Sequence, residues 1–111
     1  MDRKLKNVEF VLRIKEILTD KKGKKVLAYD VKDLTSFTKY IVLVSFNSVT
    51  QVKSVIKEVE TKLKLPDHVE GRPESGWVLM DYDDTIVNLF LKKQRKFYSL
   101  ERIWGEAKEI N

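Results

Sequence analysis

The chain has 111 residues, 42% of them hydrophobic, which is enough for one compact core and too few for two domains. It has no cysteine, so disulfides, thiolate zinc sites and a cysteine nucleophile are excluded, and a reducing, cytoplasmic setting is expected. With 22 basic against 17 acidic residues the formal net charge is +5, a balance that favours nucleic acid or a particle rich in it, and no apolar run approaches the roughly 18 residues of a membrane span.

The opening stretch MDRKLKNVEFVLRIKEI is basic and amphipathic, as a transit peptide is. Asp2, Glu9 and Glu16 and the lack of serine fit an ordinary first helix instead. Leu5, Val8, Val11, Leu12, Lys15 and Leu18 recur at three- and four-residue spacings, which predicts a helix over 2–20 with that stripe buried. KKGKK (21–25) ends it, with Gly23 as the C-terminal stop. VLAYDV (26–31) reads as a strand and DLTSFTK (33–39) as a polar connection. YIVLVSF (40–46) is apolar almost throughout and rich in β-branched residues, the pattern of a mid-sheet strand covered on both faces.

NSVTQVKSVIKEVETKLKL comes next. Asn47 or Ser48 can cap a helix whose apolar stripe is Val52, Val55, Ile56, Val59 and Leu63, and Pro66 stops it. PDHVEGRPESG (66–76) holds both prolines and is a turn-rich loop with room for a short strand near 68–70. Strands follow at 77–82 and 85–91, and a last helix at about 94–104 buries Phe97, Leu100, Ile103 and Trp104. Strands interleaved with helices predict an α/β fold, a mixed sheet with helices packed on it, as a single domain over 1–111.

Three carboxylates, Asp81, Asp83 and Asp84, sit between the strands of GWVLMDYDDTIVNLF. Carboxylates two apart on a strand share a face and can grip one Mg²⁺, as metal-dependent nucleotidyltransferases require. The simpler reading is a hairpin with Asp83 and Asp84 as its turn, which takes Asp83 out of the strand alternation. A glycine-rich phosphate cradle is also lacking, because the strand-to-helix junction reads SFNS, with bulky Phe46. No P-loop, GxGxxG, GxSxG or HExxH occurs, and the lone His68 reads as an exposed loop residue. Neither a catalytic residue nor a metal or cofactor site is expected. The two lysine/arginine clusters, KKGKK and KKQRK (92–96), read as solvated turns or as contacts to RNA phosphates.

With the turn at 83 and 84, Trp77 pairs with Phe90, Leu79 with Asn88 and Asp81 with Ile86 on one face. Val78, Met80, Tyr82, Thr85, Val87 and Leu89 fill the other, which is core material for the helix side. The first face mixes large apolar groups with Asp81 and Asn88. Either it is partly open and closed by a partner, or a further helix covers it and its polar atoms are satisfied locally.

DLTSFTKYIVLVSFNSVTQV, then VEG, WVLMDYDDTIVNLF and FYSLERIWGEA, resemble in order and spacing the Iojap family, the ribosomal silencing factors, over about residues 24–107. The resemblance implies a nucleotidyltransferase-like fold without the catalytic apparatus. It also implies binding to the large ribosomal subunit through its protein number fourteen, so that the small subunit cannot join and translation is quieted when nutrients are short. The family's strand pair corresponds to Trp77, Leu79, Asp81, Tyr82, Asn88 and Phe90, the implied partner-binding residues. The chain departs from the family at Lys39, where Asp is usual, Phe46 and Asp83, where Gly is usual, Thr50, where Arg is usual, and Asn88, where His is typical. An active nucleotidyltransferase or other nucleotide-binding enzyme on the same fold is the alternative. A free monomer and a homodimer are both compatible with a half-apolar open face.

Overall fold

The computed structural model describes residues 7–94 and 107–110. Its elements are α1 (Asn7–Asp20), β1 (Lys24–Asp30), β2 (Tyr40–Phe46), α2 (Val49–Lys62), β3 (His68–Arg72), β4 (Trp77–Asp81), β5 (Thr85–Leu91) and β6 (Lys108–Glu109), with one 3₁₀ turn at Pro73–Ser75. The strands form one mixed sheet in the order β3-β4-β5-β2-β1-β6. Among the described residues only β2 and β5 pair in parallel, from Tyr40 opposite Thr85 to Phe46 opposite Leu91, and the other pairs are antiparallel.

β2 lies mid-sheet with all seven residues buried, as its unbroken apolar run predicts. Val42, Val44 and Phe46 join Val11, Ile14 and Leu18 of α1 and Val52, Val55 and Val59 of α2 in the main core. Ile41 and Leu43 point to the opposite side, into a smaller cluster with Tyr29, Val31 and Phe90. The hairpin's helix-side set is buried as expected, with Val78, Met80, Tyr82, Thr85, Val87 and Leu89 each 4% exposed or less. Ser48 caps α2, its hydroxyl accepting the Gln51 N–H at 3.2 Å, while the Gln51 side chain accepts the Asn47 N–H at 2.9 Å.

Two features of α1 differ from the sequence expectation. Its buried stripe is Val11, Ile14, Ile17 and Leu18, whereas Val8 and Leu12 are exposed and Leu5 lies outside the described residues. Apolar residues at 8, 10, 11, 12, 14, 17 and 18 span an arc wider than one face, and the sheet covers only the part centred on Ile14. The helix stop also differs. Lys22, at φ 68°, takes the left-handed position, while the Gly23 N–H donates to Leu18 C=O at 2.8 Å and the Lys22 N–H to Thr19 C=O at 3.0 Å, a Schellman ending. Gly23 is needed for space, since a Cβ there would lie 2.5 Å from Val44 Cγ2 and 2.8 Å from Leu18 O.

The 66–76 stretch contains a full edge strand, β3, longer than the expected fragment. β6, absent from the sequence reading, pairs Glu109 with Tyr29 and Lys108 with Asp30. The expected last helix lies outside the described residues beyond its start at 92–94, and with it Phe97, Leu100, Ile103 and Trp104.

The two residues at the α1–β1 corner separate conformational from packing requirements. Lys22→Gly should raise unfolding free energy by about 1 kcal/mol by relieving a left-handed non-glycine residue. Gly23→Ala should lower it by about 1 to 3 kcal/mol through overpacking against Val44. Urea unfolding followed by circular dichroism checks both signs.

Candidate functional site

The face of the sheet away from the main core is built from three cross-strand rows. Arg72, Trp77 and Phe90 form the first, Glu70, Leu79 and Asn88 the second, and His68, Asp81 and Ile86 the third. Burial rises steadily from the β3 edge inward. His68, Glu70 and Arg72 are exposed; Trp77, Leu79, Asp81 and Ile86 are half-buried; Asn88 and Phe90 are 4% and 1% exposed. The face is therefore open at β3 and β4 and closed from β5 inward, where Phe90 packs with Tyr29, Val31, Ile41 and Leu43, and Leu27 and Ala107 lie against the cluster.

Trp77 ties the open and closed parts together. Its ring stacks on Phe90 with centroids 5.4 Å apart and planes 25° apart. Its indole Nε1–H donates to Asn88 Oδ1 at 3.0 Å, and the Asn88 amide donates in turn to Val42 C=O at 3.4 Å. The polar atoms of Asn88 are thus satisfied locally, which removes the penalty of about 1 to 3 kcal/mol that a buried unpaired amide would carry. The stack adds about 0.5 to 1.5 kcal/mol beyond area burial.

Beside Trp77 and Leu79 lies a notch of about 340 Å³, lined also by Glu70, Gly71 and Ser75. Gly71, at φ 80°, keeps the notch's outer strand close to β4, because a Cβ there would stand 2.2 Å from Trp77 O. No other residue fits at that distance.

The acidic turn is tightly bound to its own backbone. Asp81 Oδ1 accepts the Asp83 N–H at 2.8 Å, Tyr82 N–H donates to Thr85 C=O at 2.8 Å, and Asp84 N–H donates to Tyr82 C=O at 2.9 Å. Asp83, at φ 72°, leaves the strand alternation, so Asp81 and Asp83 do not share a strand face. The Asp84 C=O accepts both the Lys39 and Tyr40 N–H groups, at 3.0 and 2.9 Å, pinning the turn to the start of β2. Lys39 Nζ lies 3.9 Å from Asp84 Oδ1. The Lys39 ammonium therefore has an acidic neighbour within the chain.

The structure gathers Trp77, Leu79, Asp81, Asn88 and Phe90 on one face and places Tyr82 on the other. Tyr82 is buried, its hydroxyl donating to Lys64 C=O at 3.1 Å and its ring meeting Phe10 edge-on at 5.1 Å. Burial pushes its hydroxyl pKa well up, so it stays a neutral donor. Tyr82 positions the turn from behind. Phe90 is the floor under Trp77 and reaches a visitor only through that ring. His68, Glu70 and Arg72 belong to the open face and were missed, since their i, i+2 parity is visible in HVEGR but the pairing with β4 is not.

The chain matches, over residues 5–111, the family model described as ribosomal silencing factor during starvation. It is 36% identical to the ribosomal silencing factor RsfS of Chromobacterium violaceum, covering 84% of this chain and 80% of the relative. It is 32% identical to that of Bacillus subtilis, covering 79% and 78%. A crystal structure of a protein from Chromobacterium violaceum superposes with a TM-score of 0.76 at 27% identity, over 90% of this chain and 88% of the other. One from Bacillus halodurans gives 0.72 at 26%, over 91% and 96%. The fold is thus the α/β mixed sheet shared with these proteins, and the chain belongs to the ribosomal silencing factor family; it is also 26% identical to the chloroplastic protein Iojap of Arabidopsis thaliana, over 99% of this chain and 48% of the relative.

The turn geometry predicts a graded response at Asp83. Asp83→Gly and Asp83→Asn should leave stability unchanged or slightly raised, whereas Asp83→Val should cost about 1 to 3 kcal/mol, because a β-branched residue resists positive φ. Thermal melts of the three variants check the order.

Proposed function

We propose that the protein is a ribosomal silencing factor that docks its β3–β4 face on the large ribosomal subunit, through that subunit's protein number fourteen. Docking there blocks joining of the small subunit and represses translation under nutrient limitation, in the cytoplasm. The whole chain, 1–111, acts as one domain, by occupancy and not by turnover. The observation that carries this reading is the family match over nearly the entire chain. The open face supports it: Trp77 and Leu79 stand half-buried beside a notch sized for one or two apolar side chains, with Asp81 at the next row.

Each residue has a separate task in that reading. Trp77 is the aromatic anchor, held in one rotamer by Phe90 beneath it and Asn88 beside it. Leu79 walls the notch, and Asp81 meets a donor or cation of the partner. Tyr82 keeps the turn in place. The lysine clusters assist by meeting ribosomal RNA around the docking site.

Sedimentation with purified large, small and joined particles tests the proposal. The protein should travel with large subunits alone and lower the yield of joined particles in proportion to its occupancy. Equal binding to small subunits would refute the reading, as would binding without effect on joining. Trp77→Ala should cost roughly 2 kcal/mol or more of binding, about thirtyfold, in pull-down of the isolated ribosomal protein. Asp81→Lys should do at least as much harm, while Asp83→Asn binds normally. Circular dichroism of each variant separates lost contact from lost fold.

A further inference from the structure

The two lysine-rich clusters are far apart in sequence, yet the topology brings them to one end of the sheet. β2 and β5 run in parallel and finish side by side, Phe46 opposite Leu91, so Lys92 and Lys93 emerge where β2 ends. β1 is antiparallel to β2 and begins there, with Lys24 opposite Ser45. At about 4.8 Å between neighbouring strands, the end of β5 and the start of β1 are about 10 Å apart. Lys21 and Lys22 precede β1 at the same end, and α2 starts there after Phe46.

The opposite end carries acids. Asp30 lies opposite Tyr40, which pairs with Thr85 after the Asp83–Asp84 turn, and the Asp67 N–H donates to Asp81 C=O. Lys32 and Lys39 at that end lie within ion-pair distance of Asp30 and Asp84, at 3.4 and 3.9 Å. The chain is therefore polar along its strand axis, basic where β2 ends and acidic where it begins.

We infer that the basic end is a polyanion-binding surface for the RNA backbone, with Lys21, Lys22, Lys92 and Lys93 as its phosphate contacts. For the identity of the RNA the inference rests on the ribosomal reading. Between Lys21 and Lys22 and the first turns of α2 lies a cleft of about 300 Å³, lined also by Asp20, Thr50, Gln51 and Ser54. Lys21 Nζ donates to Ser54 Oγ at 3.1 Å, which fixes the ammonium at the cleft's wall. Hydroxyl and amide groups beside lysines are the usual complement of phosphate and sugar oxygens. Of the nearby acids, Glu74 is answered by Lys53 at 2.9 Å and Glu58 by Lys62 at 2.7 Å, and Glu58 also stands 3.9 Å from Lys21, so Lys22, Lys92 and Lys93 carry more of the surface's net charge than Lys21. A lipid surface is the other anionic candidate. It would need large apolar side chains at the same end to insert, and the exposed ones among the described residues, Val8, Leu12, Leu34, Phe37, Leu65 and Val69, belong to other parts of the fold.

The test uses the full chain and a fluorescein-labelled RNA hairpin, followed by fluorescence polarisation across a salt series. Lys21→Gln, Lys22→Asn, Lys92→Gln and Lys93→Gln are combined, Asn being chosen at 22 because it tolerates the left-handed backbone. The combined variant should bind about tenfold weaker or worse, and its salt slope should fall by about 2 or more. Each half of the set alone should give an intermediate slope, because both clusters serve one surface. An unchanged slope would overturn the inference, and so would equal loss from Lys32→Gln with Lys39→Gln at the other end. Tighter binding to phosphatidylserine vesicles than to RNA would also overturn it, in favour of a membrane. A thermal melt of the combined variant must match the parent chain, and single replacements at Lys92 and Lys93, away from the left-handed corner at Lys22, give the slope if it does not. Pull-down of the isolated ribosomal protein separates the two readings. The combined variant should keep that interaction, whereas Trp77→Ala should lose it with RNA binding intact.

Discussion

Everything in this molecule depends on β2 being buried on both sides. A strand of seven residues with no exposed side chain can exist only if helices cover one face and something else covers the other, and only if both of its edges are paired. β1 and β5 supply the edges, α1 and α2 cover the first face, and on the second Ile41 and Leu43 are buried among Tyr29, Val31 and Phe90, with Ala107 against the cluster as part of its cover. The second cover is incomplete towards β3, and the candidate site is the region where it runs out. The site proposed for docking thus lies on a boundary of burial, with the core of the protein as its floor.

That boundary explains how a polar residue can be both buried and useful. Asn88 lies at the step between closed and open sheet. It spends its oxygen on the Trp77 indole and its nitrogen on the Val42 carbonyl, so one amide joins β4, β5 and β2. The orientation of the tryptophan is thereby set in advance, so in the proposed docking little of its side-chain entropy would remain to be lost. Tyr82 does the corresponding work from the helix side, through Lys64 and Phe10.

How much of this could be read from sequence follows from which interactions are local. The hairpin was legible in detail because a turn fixes register: once Asp83 and Asp84 form the turn, Trp77 must face Phe90 and Asp81 must face Ile86. β2 was legible from its run of apolar β-branched residues, and α2 from its Ser cap and valine stripe. The α1 face was not, because seven apolar positions allow more than one stripe and only the sheet's position chooses among them. Gly23 followed the expected rule for the wrong reason, as its neighbour Lys22 carries the unusual backbone and the glycine answers to Val44, a residue of another element. β3's part in the open face, β6's pairing with β1 and the meeting of the two lysine clusters all depend on pairings across long separations, which no local pattern encodes. The family resemblance supplied the identity of the site's strand pair but not its depth: it grouped Tyr82 and Phe90 with Trp77, although the first faces the helices and the second lies beneath the indole.

The parallel pairing of β2 with β5 carries a consequence in time. Residues 47–84 must leave β2, form α2, β3 and β4, and return before β5 can dock beside its partner, so the central pair of the sheet closes one of the longest loops in the chain. Synthesis runs from the N-terminus, and until about Leu91 has cleared the exit tunnel β2 has an unpaired edge and Trp77 has no Phe90 to rest on. A chain still being made thus lacks the Trp77–Phe90 stack and the face built on it. The face is complete only once β5 has been made, so a chain interrupted before Leu91 has both described helices but not this surface.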